Sequence, residues 1–122
     1  MYKLKLKHHF DAAHRLKLDY DSPCKATHGH RWLVEVIITT PALNKNGLVI
    51  DFKDIKSIIN ELDHKNLNDV FEFNPTAENI SKHLYDTIES YFNNEIGQKA
   101  KQEVLIEVTV WESPNASITY TI

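Results

Sequence analysis

The alternation of apolar and polar residues predicts four long strands. Over Tyr2–His14 the even positions are mostly apolar and the odd positions are mostly lysine, the pattern of a strand with one buried face. A second strand is predicted over residues 31–40 and extends back through His28. Residues 104–111 and 116–122 show the same period of two, so two further strands are expected near the end of the chain.

Two amphipathic helices are predicted between the second and third strands. Asp51 is a suitable N-cap for the first helix, whose apolar residues recur at helical spacing up to about Leu62. Its predicted buried stripe consists of Phe52, Ile55, Ile58, Ile59 and Leu62. The second helix is predicted to begin at Asn74–Pro75 and to run to about Glu95. Residues 63–73 are predicted to be irregular, and residues 97–102 to form a surface loop.

The predicted order ββααββ indicates an α+β fold. An antiparallel sheet would be covered on one face by the two helices, in one domain spanning residues 1–122. The second face of the 31–40 strand is less polar than usual, which indicates partial cover there too. Edge strands at both chain ends leave unpaired backbone, and sheets that join between subunits satisfy such edges. We therefore expect a homo-oligomer.

Composition limits the classes of function. The chain has 122 residues, a net charge of −3, 42% hydrophobic and 25% charged residues, and a pI near 6.1. These values give no bulk reason to expect a nucleic-acid or membrane partner. The N-terminus lacks a signal-peptide core, and a single cysteine cannot form an internal disulfide. We therefore expect a cytoplasmic, reducing environment.

Three histidines are candidate metal ligands. His28 and His30 are two residues apart, so on a strand they project from the same face. His14 lies on the inner face at the end of the first strand. A lone inward histidine is usually a core residue, but three that converge on a strand end favour a metal. Catalytic zinc commonly has three protein ligands and one open position, so Zn²⁺ is the expected cofactor. His8 and His9 are interpreted as structural.

The sequence alone leaves the function of Cys24 open. It would close a structural zinc site as a fourth ligand, or it would be a small core residue. Alternatively, its polar neighbours indicate an exposed loop, where a nearby cation and metal would make it a base or nucleophile.

Asp63, His64 and Glu112 are further candidates. A neighbouring Asp63–His64 pair in a loop is usually surface decoration, unless His64 approaches Cys24 and acts with it. Glu112 ends an otherwise apolar strand face, where a carboxylate is costly without a donor. It suits a ligand with a guanidine-like edge, from which it accepts two hydrogen bonds.

Six segments resemble the 6-pyruvoyl-tetrahydropterin synthase superfamily. They are FDAAHRL, CKATHGH, GLVIDF, LDHKNLND, NPTAEN and VWES, in that order along nearly the whole chain. The three-residue gap between Cys24 and His28 resembles the bacterial and archaeal branch, the 6-carboxy-5,6,7,8-tetrahydropterin synthases of queuosine and other 7-deazapurine biosynthesis.

The resemblance implies a T-fold whose subunits join their sheets into a barrel, typically trimers stacked into a hexamer, with active sites at subunit interfaces. The implied substrate is 7,8-dihydroneopterin triphosphate, and the implied products are carboxytetrahydropterin, acetaldehyde and triphosphate. The implied roles are zinc binding by His14, His28 and His30, catalysis by Cys24 as base with Asp63 and His64 as proton relay, and substrate binding by Glu112 as pterin anchor with help from the backbone of Thr76.

One position departs from many relatives, which carry a second histidine where this chain has Lys65. The change leaves the relay intact but bears on the triphosphate contacts, for which Arg15, Lys25 and Lys65 are weak candidates because each is ordinarily a solvated cation. Two alternatives remain: a neighbouring reaction of the same superfamily, and a zinc-stabilised binding module without catalysis.

Overall fold

A computed structural model describes residues 1–96 and 103–122 of the chain. The strands are β1 (Tyr2–His14), β2 (His28–Thr40), β3 (Lys65–Asn66), β4 (Leu105–Ser113) and β5 (Ala116–Thr121). The helices are α1 (Phe52–Asn60), α2 (Leu67–Val70) and α3 (Ala77–Ile96), with a single 3-10 turn at Pro23–Lys25. The four long strands and two long helices predicted from the sequence are confirmed.

The sheet has five strands in the order β3-β1-β2-β4-β5. All neighbours are antiparallel except β3, which pairs parallel with β1 at Ala12 and Ala13. The prediction of a purely antiparallel sheet with two helices was therefore wrong for residues 63–73, which form β3 and the short helix α2. A two-residue strand shows no periodicity in the sequence. It is fixed by tertiary contacts, because the His64 amide donates to the Asp11 carbonyl at 2.7 Å.

The core lies between the even-numbered face of the sheet and the helices. Trp32, Val34, Val36 and Ile38 of β2 have no exposed surface, and α3 contacts β4 and β5 while α1 contacts β1. A one-residue slip of β2 would turn this whole face to solvent, so its pattern sets the register. On the second face, the odd-numbered residues of β2 from Leu33 to Thr39 are half-buried, in line with the partial cover expected there.

The helix ends differ from the sequence prediction by a few residues. Asp51 caps α1 as predicted, accepting from the Lys53 amide at 2.9 Å. Phe52 does not join the buried stripe and is 54% exposed, because it begins the helix and its side chain leans back past the first turn. The second long helix begins at Ala77 instead of Asn74–Pro75. Residues 97–102, predicted to form a loop, lie outside the described residues. Across the described ranges, we find no helix with the length and hydropathy that crossing a membrane requires.

Candidate metal and catalytic site

The pairing of β1 with β2 brings three histidines together. His14 lies directly opposite His28, and Ala12 lies opposite His30. Because alternate residues share a face, all three imidazoles lie at one end of the buried face. Their ring centroids are 4.6 Å (His14–His28), 5.3 Å (His14–His30) and 4.8 Å (His28–His30) apart. The predicted convergence of the three side chains is present in the structure.

Two of the rings are oriented by backbone carbonyl groups. Nδ1 of His14 lies 2.8 Å from the Pro75 oxygen, and Nδ1 of His28 lies 2.7 Å from the Ala26 oxygen. A carbonyl oxygen only accepts, so each Nδ1 carries a proton, and in the neutral ring Nε2 is then the nitrogen with the free lone pair. This orientation is typical of histidines that bind a metal through Nε2.

Glu112 completes a cluster of four side chains. Val110 of β4 pairs with Val34 of β2, and Glu112 follows two residues later on the same face. Its Oε1 lies 3.1 Å from Nε2 of His14 and 3.2 Å from Nε2 of His30. The four ligand atoms, including that of His28, all lie within 4.8 Å of one another.

The cluster has the unsatisfied polar atoms that a cation would neutralise. Nε2 of His14 and Nε2 of His30 are buried and make no hydrogen bond. A lone pair and a carboxylate oxygen at about 3 Å repel each other unless a proton or a metal ion lies between them. Zn²⁺ prefers imidazole nitrogen and carboxylate oxygen in a four-coordinate arrangement, so these residues fit a metal ion.

The surroundings of His30 favour its neutral form. Burial lowers the pKa of His30 below its usual value, Glu112 acts in the opposite direction, and His14 and His28 lower it further. Neutral imidazole is the form that binds a metal. Trp32 packs edge-on against two of the rings, with centroids 4.9 Å from His14 and 5.4 Å from His30.

Cys24 lies beside the cluster but is not one of its members. A shallow pocket of about 420 Å³ is lined by Pro23, Cys24, His28, His30, Glu112 and Ser113. The half-buried Cys24 occupies the 3-10 turn, which Ser22 caps by accepting from the Cys24 amide at 3.2 Å. The pocket thus combines a candidate metal site, a thiol and a carboxylate on one wall.

Two asparagines hold the segment that leads from His14 to Cys24. Asn68 accepts from the Arg15 amide at 2.8 Å and donates to the Arg15 carbonyl at 3.0 Å. Asn74 makes the same pair of bonds with Lys17, at 2.9 and 3.0 Å. Asn74 also precedes Pro75, whose carbonyl orients His14.

Asp63 and His64 do not line the Cys24 pocket within one chain. They precede β3, on the opposite side of β1 from β2, and Asp63 Oδ1 accepts from the Asp11 amide at 2.8 Å. Asp63 Oδ2 lies 3.4 Å from His64 Nε2, and the His64 side chain is 81% exposed. The pair is therefore formed as predicted, but its approach to Cys24 is not made in a single subunit.

Thr76 begins α3. Its hydroxyl accepts from the Asn79 amide at 3.1 Å, and its own amide donates to the Asn74 carbonyl at 2.8 Å. The structure therefore gives Thr76 a capping function.

The candidate cations Arg15, Lys25 and Lys65 line neither the Cys24 pocket nor the adjoining cavity of about 710 Å³ that shares His30, Glu112 and Ser113 with it.

Sequence reasoning missed four groups: Asn68, Asn74, the Pro75 carbonyl and Ser113. Three of them belong to residues 63–75, a stretch interpreted mainly as irregular. The concentration of asparagines there was the available signal, since asparagine side chains bind backbone groups of neighbouring loops. Their partners are more than 50 residues away in the sequence, so nothing local indicates which backbone they hold.

The architecture is an α+β T-fold. A solved structure from Caenorhabditis elegans, 6-pyruvoyl tetrahydropterin synthase, superimposes with a TM-score of 0.71 at 22% identity, covering 99% of this chain and 95% of that one. At this identity the likeness shows the fold alone.

The family follows from sequence. Residues 3–122 match the family described as 6-pyruvoyl tetrahydropterin synthase, and the chain belongs to that family. A 6-carboxy-5,6,7,8-tetrahydropterin synthase of Rickettsia conorii is 30% identical, covering 89% of this chain and 92% of the relative. A dihydroneopterin monophosphate aldolase of Pyrococcus furiosus is 32% identical, covering 84% and 82%. The family and these relatives indicate that the chain is a lyase.

Proposed function

We propose that the protein is a zinc-dependent 6-carboxy-5,6,7,8-tetrahydropterin synthase. It converts 7,8-dihydroneopterin triphosphate to carboxytetrahydropterin, acetaldehyde and triphosphate, in the cytoplasmic biosynthesis of queuosine and other 7-deazapurines. The observation that carries the proposal is the pocket in which Cys24, two of the converging histidines and Glu112 share one wall. The Rickettsia conorii relative supports this choice within the family.

His14, His28 and His30 would hold the metal, because all three rings converge and two have their Nδ1 groups engaged by carbonyls. Bound Zn²⁺ would acidify side-chain hydroxyl groups of the substrate and polarise the carbonyl formed from them. Trp32 behind the rings limits their movement, which favours a rigid site.

Glu112 would bind the 2-amino and N3 edge of the pterin ring, and so place the reacting carbons beside Cys24. Its carboxylate is one-third exposed at the pocket wall, where it meets both the histidines and the open space. Thr76 caps α3 directly after the Pro75 carbonyl that holds His14, so its contribution to substrate binding would be to keep that backbone in place.

Cys24 would remove a proton from the substrate side chain, and His64, oriented by Asp63, would exchange protons during elimination and carbon–carbon cleavage. Because His64 and Cys24 are separated within one chain, the relay would come from a neighbouring subunit. The outer edge of β5 and most of the outer edge of β1 have no strand partner among the described residues. These edges support assembly of the sheets into a barrel, as trimers stacked into a hexamer.

Product analysis tests the proposal. The purified protein, loaded with zinc, is incubated with 7,8-dihydroneopterin triphosphate, and the products are identified by mass spectrometry. Acetaldehyde together with carboxytetrahydropterin supports the proposal. Release of triphosphate with an intact three-carbon side chain contradicts it and identifies a pyruvoyl-forming enzyme.

The Pyrococcus furiosus relative favours a second candidate, an aldolase acting on a dihydroneopterin phosphate. The same pocket would serve it, since a base and a bound metal would also promote aldol cleavage of the side chain. It predicts a two-carbon aldehyde that keeps the phosphate groups, instead of acetaldehyde and free triphosphate, so the same incubation separates the two reactions.

A further inference from the structure

Glu112 lies at a distance from the histidines that suits a shared metal ion. Two ligands at about 2.1 Å from a tetrahedral zinc ion are about 3.4 Å apart. The observed separations from Glu112 Oε1 are 3.1 Å to His14 and 3.2 Å to His30. Both nitrogens are buried and are assigned no hydrogen-bond partner.

The His14 contact is the more informative of the two. Its Nδ1 donates to the Pro75 carbonyl at 2.8 Å, which leaves Nε2 as the ring nitrogen that faces the carboxylate. The ring has no exposed surface, so water does not reach this nitrogen. The carboxylate oxygen 3.1 Å away therefore lies at the spacing of two ligands that share one metal ion.

We propose that Glu112 is the fourth ligand of the metal in the substrate-free protein, and that it leaves the metal to bind the pterin ring. The inference rests on the proposed function for its second half, since that half needs a pterin ligand. The coordination position that Glu112 vacates is then available to the side-chain hydroxyl groups of the same substrate.

The Glu112 carboxylate cannot bind the metal and the pterin ring at the same time. A pterin edge presents two donors, and bidentate binding requires both carboxylate oxygens. One of those oxygens is within 3.2 Å of two imidazole nitrogens in the free protein, so it cannot serve the ring without moving. The carboxylate is 33% exposed, which leaves it a path from the cluster to the pocket opening.

This exchange of Glu112 from the metal to the pterin ring would allow a substrate to reach the metal only if it carries a pterin ring. Until a pterin arrives, four protein ligands close the coordination sphere and water is excluded from it. A molecule with hydroxyl groups but no pterin edge would not displace Glu112 and so would not reach the metal.

The first measurement uses the metal alone. Zn²⁺ affinity is measured by chelator competition for the unaltered protein, for Glu112→Gln and for the matched control Glu107→Gln on the same strand. Losing a direct ligand should cost at least the roughly tenfold loss typical of outer-shell partners, so Glu112→Gln should bind zinc at least about tenfold more weakly, and Glu107→Gln should bind it unchanged. The visible spectrum of bound Co²⁺ should change only in Glu112→Gln. Equal zinc affinity and equal Co²⁺ spectra in all three proteins would overturn the proposal.

The second measurement adds 6-methylpterin, which has the 2-amino and N3 edge but no side-chain hydroxyl groups. Saturating this pterin should shift the Co²⁺ spectrum of the unaltered protein toward that of Glu112→Gln and weaken its hold on the metal. An unchanged spectrum at saturation, or no binding of the pterin, overturns the exchange. The proposed reaction is tested separately by product analysis. The metal measurements can therefore contradict the assignment of Glu112 as fourth ligand, and only the products formed on turnover can contradict the proposed function.

Discussion

Asn74 holds the segment that leads to Cys24. We predict that replacing Asn74 lowers the protection of this segment against hydrogen exchange. Its side chain accepts from the Lys17 amide at 2.9 Å and donates to the Lys17 carbonyl at 3.0 Å. Each hydrogen bond contributes about 0.5–1.5 kcal/mol net, and both are solvent-exposed, so Asn74→Ala should cost this segment about 1–2 kcal/mol. A free-energy loss of that size raises the population of the open segment about 5- to 30-fold.

Hydrogen exchange at the Leu16 amide measures this opening directly, because that amide donates to the Cys24 carbonyl at 2.8 Å. Protection of Leu16 should fall about 5- to 30-fold in Asn74→Ala, while the amide of Val34 in the central strand should change little. Asn94→Ala, at an exposed position of α3, is the control and should leave both amides unaltered. Unchanged protection at Leu16, or an equal fall at Leu16 and Val34, would refute local positioning by Asn74.

Mixing Cys24→Ala with His64→Ala subunits should restore activity at about one quarter of the sites if each site joins two chains; no recovery after subunit exchange would place both groups in one chain. Chelation should lower the melting temperature, because a metal at 100 times its dissociation constant stabilises by about 2.7 kcal/mol; calorimetry showing no shift would contradict a folded-state metal. His83 packs against Phe71 and Phe73, and its burial lowers its pKa below the usual 6.5, against the opposing effects of Asp86 and Glu61. The neutral imidazole therefore contributes its full stability above pH 6.5, and this contribution is lost as pH falls below 6.5. Denaturant titrations should therefore show a flatter acid limb for His83→Leu, and an identical pH profile would refute this.

The strands and the histidine cluster could be predicted from the sequence because their signals are local. Alternation sets which face of β1 and β2 is buried, and the same alternation places His14, His28 and His30 on that face. Glu112 was detectable for a related reason, as a carboxylate at the end of an apolar series. Burial of Trp32 beside the rings follows from the same period of two.

The parts that were missed depend on contacts between distant segments. The strand β3 exists because Asp63 and His64 bond to the backbone of Asp11, which no pattern within residues 63–73 reveals. The clamps made by Asn68 and Asn74 are likewise tertiary. Phe52 was misplaced because helical spacing does not distinguish the first turn, where side chains extend past the helix, from later turns that pack on the sheet.

The Cys24→Ala variant tests most directly whether the histidines bind the metal while Cys24 transfers the proton. Zinc content and acetaldehyde release from 7,8-dihydroneopterin triphosphate are measured on the same preparation, beside the unaltered protein. Because Cys24 is not among the four clustered ligand groups, the variant should keep its zinc and its melting temperature while acetaldehyde release is lost. Loss of zinc together with stability, or continued release of acetaldehyde, would contradict the assignment of metal binding to the histidines and proton transfer to the cysteine.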